Sequence, residues 1–484
     1  MDKKELKDSL EVIVLAAGLG TRMKSPLPKV VHKIADTPIL ELLLRTTDQA
    51  LSTFQEVYFN IVIGHGRNHV TELVHALQSQ NKINVPIQFT VQEEQLGTGH
   101  ALRLALEHSK AQNSKQPVLV LNGDLPLLTA KELSDFIEAH KKEKSVASLG
   151  SMILESPAQY GRIIRKGRKF VSVVEAKDAS RAQLQIKEVN GGIYVFQRDI
   201  LKDAIYKVSN KNAAGEFYLP DIFSYATKKK KKIYAHVFGD VSTLSGVNNM
   251  EELAAAQSLL FRRMCQKWMR EGVFIAEPNH TYIGPYVELN QGCSVGPLTS
   301  ILGESKIAEG VKIGAFCDLR DVEIGKNTVL KNNTVAEKTQ IGQECSIGPM
   351  VHLRAGSNLS DRVRVGNFVE IKESTIASNT SAAHLSYIGD ATIGSNVNLG
   401  CGFITCNFDG RIIDGKRKHR TKIGNHVFVG SDSQVIAPIE IADGTFIASG
   451  STVSESVKEK DSLVIARSKQ VTKPGYAKKY KSQK

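Results

Sequence analysis

The run Val12-Ile13-Val14-Leu15 passes directly into Ala16-Ala17-Gly18-Leu19-Gly20-Thr21-Arg22-Met23, and Pro28-Lys29 follows shortly after. Small residues let backbone N–H groups approach a phosphate chain, and the charges of Arg22 and Lys29 can neutralise one. The turn is neither a complete G-x-G-x-x-G nor a loop ending in G-K-[ST]. Taken alone it stays open between a phosphate cradle and a plain strand-to-helix connection. Asp124, in Asn122-Gly123-Asp124-Leu125-Pro126, reads by itself as an ordinary turn aspartate. The six cysteines, Cys265, Cys293, Cys317, Cys345, Cys401 and Cys406, form no C-x-x-C pair and have no histidine at zinc spacing. Reduced, buried thiols are the expectation.

These groups need elements to hold them. Over the first 250 residues, β-rich runs (Val12 to Leu15, Val57 to Ile63, Ile87 to Val91, Val118 to Leu121) alternate with helical patterns (Ile39 to Ala50, Val70 to Gln78, His100 to Lys110). The alternation predicts an α/β unit with a largely parallel sheet and a ligand site at the C-terminal ends of its strands. Residues 249–272 read as one linking helix, capped by Asn248 or Asn249, with Leu253, Ala256, Leu260, Met264 and Trp268 on one face and Gly272 at its end. Beyond Phe274 an aliphatic residue followed by glycine recurs at Ile283, Val295, Ile313, Ile324, Ile341, Ile347, Val365, Ile388, Ile393, Leu399, Ile423 and Val429. Many gaps are multiples of six, the hexapeptide period of a parallel β-helix whose aliphatic residues point inward; gaps of 11, 17 and 5 are read as phase slips or small corner distortions. The adjacent glycines are expected to turn the corners.

The 484 residues carry a formal net charge of +13, with 41% hydrophobic and 6% aromatic residues. An ordinary apolar fraction at this length excludes a disordered, collagenous or miniature disulfide-stapled chain, and length alone points to about three domains, or two with one large. No apolar run reaches the 18 or so residues that span a bilayer. Asp2, Glu5, Asp8 and Glu11 before the first apolar run are the wrong layout for an export signal, so a cytoplasmic protein with no membrane partner is expected. Ten of the positive charges sit in Lys228 to Lys232 and in Lys473, Lys478, Lys479, Lys481 and Lys484. Neither segment carries interleaved stacking aromatics, so the basic excess reads as a solvated loop and a tail, and no nucleic-acid partner is expected.

Further motifs give the site its specificity: Gln92 with Gln95-Leu96-Gly97-Thr98-Gly99-His100-Ala101, Tyr160-Gly161-Arg162-Ile163, Val174-Glu175-Ala176-Lys177-Asp178, Asn190-Gly191-Gly192-Ile193 and Gly246-Val247-Asn248-Asn249. With the glycine turn and Asn122-Gly123-Asp124, in this order and spacing, they resemble a sugar-1-phosphate nucleotidyltransferase domain. The second half carries Arg354, Val365-Gly366-Asn367-Phe368-Val369-Glu370-Ile371-Lys372, His384-Leu385-Ser386-Tyr387-Ile388-Gly389-Asp390, Asn398 to Gly402, Asn407-Phe408-Asp409-Gly410 and Val429 to Asp432. These are similar to the acetyltransferase site of the bacterial bifunctional N-acetylglucosamine-1-phosphate uridyltransferase/glucosamine-1-phosphate acetyltransferase family. The resemblance covers residues about 10 to 470.

That resemblance implies a Rossmann-like α/β domain with a mixed, mostly parallel sheet (1–248), a linking helix (249–273), a left-handed parallel β-helix (274–466) and a basic tail (467–484). It implies acetylation of glucosamine 1-phosphate by acetyl-CoA in the second half. In the first half, N-acetylglucosamine 1-phosphate then attacks UTP to give UDP-N-acetylglucosamine and pyrophosphate. Mg²⁺ would be held by Asp124 and Asn248, and Arg22 and Lys29 would stabilise the triphosphate. Leu15, Ala16, Ala17, Gly18, Gln92, Gly97 and Thr98 would hold the nucleotide and Gly161, Glu175 and Asn190 the sugar, with Asn122 and Gly123 at the same combined nucleotide and sugar site. His384 would be the base for acetyl transfer, with Glu370 orienting or polarising its imidazole. Arg354, Lys372, Tyr387 and Asn398 would bind the sugar phosphate, and Cys401, Asn407, Phe408, Ser431, Ser449 and Arg467 acetyl-CoA. A homotrimer is implied. The chain departs from the family pattern at Asn122 (commonly Tyr), Gly191 (Thr), Ala383 (Gly) and Phe408 (Tyr), and residues 411–420 form a longer, basic loop that either meets substrate phosphates or is solvated. The alternative is a monofunctional pyrophosphorylase whose β-helix is structural or regulatory.

Overall fold

The computed structural model describes residues 9–110, 116–412, 415 and 417–478. Asp2, Glu5 and Asp8, three positions of the basic loop, and Lys479, Lys481 and Lys484 lie outside the described residues. The chain divides into two compact units, Met1–Leu260 and Phe261–Lys484.

In the first unit the strands β1 (Ser9–Leu15), β2 (Glu56–Ile63), β3 (Ile87–Val91), β4 (Val118–Asn122), β5 (Ala147–Ile153), β6 (Glu188–Phe196) and β7 (Ile233–Val237) form one sheet in the order β7-β5-β6-β4-β1-β2-β3. Along this path pairing is parallel, save that β6 runs antiparallel to both of its neighbours; the strands Arg162–Lys166 and Lys169–Val174 join the same sheet off β6, also antiparallel. Val12 and Val14 join one apolar cluster and Ile13 the other, and Leu119 and Val120 divide in the same way. Both faces of the sheet are therefore covered, which is why these strands read as continuous apolar runs.

The helices α1 (Ile39–Ala50), α2 (Arg67–Ser79), α3 (Thr98–Glu107) and α4 (Ala130–Glu143) pack on it. α3 begins two residues earlier than the sequence pattern indicates, because the chain turns into it at Gly97, φ 105°. A Cβ at Gly97 would lie 2.7 Å from the Phe217 carbonyl, so only glycine fits that approach. Helix α5 (Met250–Arg270) is capped by Asn249, whose Oδ1 accepts the Glu252 N–H at 2.8 Å. It ends where Gly272 takes φ 86° and Val273 N–H returns to the Trp268 carbonyl. The division between the two units falls within this helix.

The second unit is a parallel β-helix of short strands whose inward residues form three ladders. One runs Ile283, Ile301, Leu319, Ala336, Leu353, Ile371, Ile388. The rung from Ile283 to Ile301 is three full hexapeptides, and the rung from Leu319 to Ala336 is one residue shorter, which is the phase slip seen in the spacing. Between Leu399 and Val429 the rung lengthens well beyond this, and there the basic loop leaves the coil after Cys406.

One expectation is corrected. The glycines after the inward residues mostly do not turn corners; they admit the next coil. A Cβ at Gly296 would lie 2.6 Å from the backbone of Gly314 and Ala315, and one at Gly325 2.6 Å from Gly342 and Gln343. The left-handed corners fall to other residues, among them Asn327, Asn379 and Asn396.

Candidate functional site

Leu15 ends β1 and Asn122 ends β4, and the two are paired in register, so the glycine turn and Asp124 emerge side by side at the C-terminal edge of the sheet. A cavity of about 480 Å³ there is lined by Leu15, Ala16, Ala17, Gly18, Arg22, Lys29, Gln92, Gly97 and Thr98. A cavity of about 360 Å³ is lined by Gly161, Glu175 and Asn190, and both cavities share Arg22, Thr98, Asn122, Asp124 and Asn248. Of the residues expected here only Gly123 lines neither. Its N–H donates to the Leu15 carbonyl at 2.9 Å, and a Cβ there would meet the same oxygen, so Gly123 clamps β4 to β1 behind the site.

At the shared wall the Lys29 ammonium donates to Asp124 Oδ2 at 2.5 Å and to Asn248 Oδ1 at 3.1 Å, and Arg22 Nη2 donates to the same Asn248 oxygen at 3.0 Å. A carboxylate and an amide oxygen converging on one cation are the hard donors that Mg²⁺ takes, so these residues fit the ion. Glu252, unforeseen from sequence, accepts from the backbone N–H of Asn248 at 2.8 Å and its Nδ2 at 3.1 Å, which turns the amide oxygen toward Lys29. The signal available was its place one turn after Asn248.

Further along, Asn190 Nδ2 donates to the buried Tyr194 hydroxyl at 2.8 Å, and burial raises the pKa of that hydroxyl well above the usual range. Burial, reinforced by Asp221, Asp178 and Glu216, pushes the Glu175 carboxyl up to about 7. Two departures have a steric reading. A Cβ at Gly191 would lie 2.2 Å from Leu244 Cδ1, leaving no room for threonine, and one at Gly192 would lie 2.4 Å from Asn122 Nδ2. Tyr160, which opens the quoted Tyr160-Gly161 motif without a role of its own, lines the smaller cavity; Tyr218 and Leu244 line it too and Glu216 lines both, and these three were missed because nothing in their spacing marks them.

In the β-helix, Asn367 pairs with His384. Carrying the register two residues beyond Leu399, Val429 and Ile447 puts Cys401, Ser431 and Ser449 on the following coils at the same position. His384 and three residues expected at acetyl-CoA therefore form one column. Arg467 closes it, its Nη1 donating to the Ser449 carbonyl at 2.7 Å. Glu370 and Tyr387 pair in a second column, and Arg354 and Lys372 occupy adjacent coils in a third. Asn398 lies apart from these, in register with Ser381 and Phe428.

The expected contact between Glu370 and His384 is absent. The Glu370 carboxylate accepts from Arg354 Nη1 at 2.8 Å, while the exposed His384 ring has no hydrogen bond among the described residues. The register explains this: Glu370 lies beside Tyr387, three residues along the strand from His384. Buried Asn407 donates to Asp390 Oδ2 at 2.6 Å and to the Tyr387 hydroxyl at 3.2 Å. The Phe408 ring is exposed beneath the Lys418 ammonium, 4.4 Å from its centroid. His419 Nε2 lies 3.2 Å from Asp409, which also binds Arg411, tying the base of the basic loop together. Cys401 is exposed and Cys406 half-buried, unlike the four other thiols, because both belong to this outward surface. Lys228 to Lys232 are exposed, and Lys232 pairs with Glu143 at 2.9 Å. Among the described residues no helix is long and apolar enough to cross a membrane.

The nucleotidyl transferase family matches residues 11–269, and the bacterial transferase hexapeptide (six repeats) matches residues 420–455. Relatives named "Bifunctional protein GlmU" align over nearly the whole chain. That of Halalkalibacterium halodurans is 40% identical over 96% of this chain and 98% of its own. That of Bdellovibrio bacteriovorus is 38% identical over 97% and 98%, and that of Streptococcus uberis 41% identical over 96% and 97%.

Proposed function

Because the chain belongs to the bifunctional GlmU family, in which a uridyltransferase is joined to an acetyltransferase, we propose how its own residues divide the two reactions that yield UDP-N-acetylglucosamine. The observation that carries the reading is the convergence of Lys29, Arg22, Asp124 and Asn248 where the two cavities meet. UTP takes the cavity under the glycine turn, and N-acetylglucosamine 1-phosphate the cavity of Gly161, Glu175 and Asn190. The sugar phosphate oxygen attacks the α-phosphorus and pyrophosphate leaves. The protein's contribution is alignment and cancellation of charge, supplied by Arg22, Lys29 and backbone N–H groups. Mg²⁺ held by Asp124 and Asn248 would add a divalent charge shared with phosphate oxygens.

In the β-helix, His384 takes a proton from the amine of glucosamine 1-phosphate as acetyl-CoA is attacked. Arg354 and Lys372 bind the sugar phosphate, with Tyr387 and Asn398 on the sugar. Glu370 positions the Arg354 guanidinium, in place of the role at His384 expected from sequence. The thioester lies along the column of Cys401, Ser431 and Ser449, with Asn407, Phe408 and Arg467 beside it. The protein works in the cytoplasm as a homotrimer. Leu298, Phe316, Met350, Phe368 and Leu385 favour assembly: they stand in the left-handed region yet are 45% to 60% exposed, which is costly for large apolar side chains unless another surface covers them.

The test is a pair of assays on one protein. His384→Ala abolishes CoA release and leaves UTP-dependent pyrophosphate release nearly intact, and Asp124→Ala does the reverse. Loss of both activities from either folded variant would sink the two-site reading.

A further inference from the structure

Asn248 Oδ1 has two lone pairs, and both are engaged, one by Lys29 Nζ and one by Arg22 Nη2. The amide cannot swing this oxygen elsewhere cheaply, because its Nδ2 and the backbone N–H of Asn248 are both tied to Glu252. Asp124 is engaged by the same ammonium at 2.5 Å, with the two side chains only 18% and 16% exposed, so solvent screens the pair weakly. One oxygen of each residue suited to a divalent cation is thus already engaged by the protein's own cations. The stem of Lys29 lies against the glycine turn: a Cβ at Gly20 would come 3.0 Å from Lys29 Cβ. A polyphosphate settling on that turn would be within reach of both Lys29 and Arg22, which line the same cavity.

We infer that Lys29, aided by Arg22, is an internal counter-ion latch that keeps divalent metal off Asp124 and Asn248 until a nucleoside triphosphate draws both cations onto its phosphates. The latch makes metal and nucleotide enter together, and it protects the site from free divalent ions when no nucleotide is present. The identity of the polyphosphate rests on the uridyltransferase reading above; the occupation of the two oxygens does not.

The experiment measures Mn²⁺ binding to the nucleotide-free full-length protein by equilibrium dialysis or by the loss of the free-ion paramagnetic signal. Lys29→Met is expected to tighten Mn²⁺ binding at least tenfold over wild type, and adding Asp124→Asn to that variant to remove the gain. Lys29→Arg keeps the latch and stays near wild type. Lys24→Met deletes an exposed charge on the same turn and should change affinity far less, which separates occupation of the oxygens from a general field effect. Thermal unfolding confirms that each variant is folded. Equal Mn²⁺ affinity in wild type and Lys29→Met would overturn the latch, as would an equal gain from Lys24→Met. Because binding is read without turnover, this result is independent of the pyrophosphate assay that decides the uridyltransferase reading.

Discussion

Glu175 should make the first unit lose stability as the pH rises toward neutrality. Its carboxyl is half-buried in the cavity wall, faces Asp221, Asp178 and Glu216, and is relieved only in part by Arg162, so its pKa rises from 4.5 to about 7. A carboxylate raised in the folded state binds its proton more tightly there than in the unfolded chain. Below about pH 4.5 both states are protonated and the group costs nothing. Between 4.5 and about 7 the folded state holds the extra proton, so stability falls with rising pH, and above about 7 the full cost is present. At about 1.4 kcal/mol per pH unit, the interval from 4.5 to about 7 corresponds to an upper limit of about 3.5 kcal/mol. Glu175→Gln keeps the shape and removes the charge. It is expected to raise the melting temperature of the first unit at pH 8.5, by at most roughly 7–14 °C at some 2–4 °C per kcal/mol. At pH 5.5 the gain should be smaller. The same variant should weaken uridylyl transfer through the KM of the sugar phosphate. Differential scanning calorimetry across that range is the assay. A pH-independent shift, or destabilisation at pH 8.5, would refute the reasoning.

Other perturbations test the packing. Gly296→Ala forces a Cβ to 2.6 Å from the next coil and should destabilise the β-helix by about 1–3 kcal/mol in denaturant titrations, with unit 1 unaffected. Gly191→Thr collides with Leu244 and should lower the melting temperature of the first unit, and adding Leu244→Ala should restore part of the loss. Phe316→Asp together with Phe368→Asp places charge on the exposed apolar corner and, if that corner lies in the proposed trimer's interface, should shift the mass toward monomer in light scattering; an unchanged mass would remove that corner from the interface.

What could be read from sequence follows from how each unit maps chain position to space. In a β-helix the map is nearly arithmetic: with rungs of three hexapeptides, or one residue fewer, His384 stacks on Asn367 by counting alone, since it lies just past the inward position of Ala382. The same counting shows that Glu370 belongs beside Tyr387, so the expectation that it orients His384 failed by neglecting register, not for lack of information. The glycines misled for a related reason. A glycine beside a buried aliphatic residue can serve a positive φ or a close approach, and composition does not separate the two, whereas the distances at Gly296 and Gly325 do. In the α/β unit the strands and the phosphate turn were legible because burial on both faces leaves continuous apolar runs. The four residues of the wall between the cavities came only through the family resemblance, and their mutual contacts not at all, because Arg22 and Lys29 meet Asp124 and Asn248 across more than 90 residues of chain and no periodicity links them. Glu252 shows the limit most directly. It is separated by one helical turn from the asparagine it orients, yet its role exists only because α5 begins where the two cavities meet. Motifs locate the groups that do chemistry, but the direction in which an amide oxygen points is set by partners that the motif does not contain. For that reason the charge network around Asn248 is the part of this site where geometry adds most to the family resemblance.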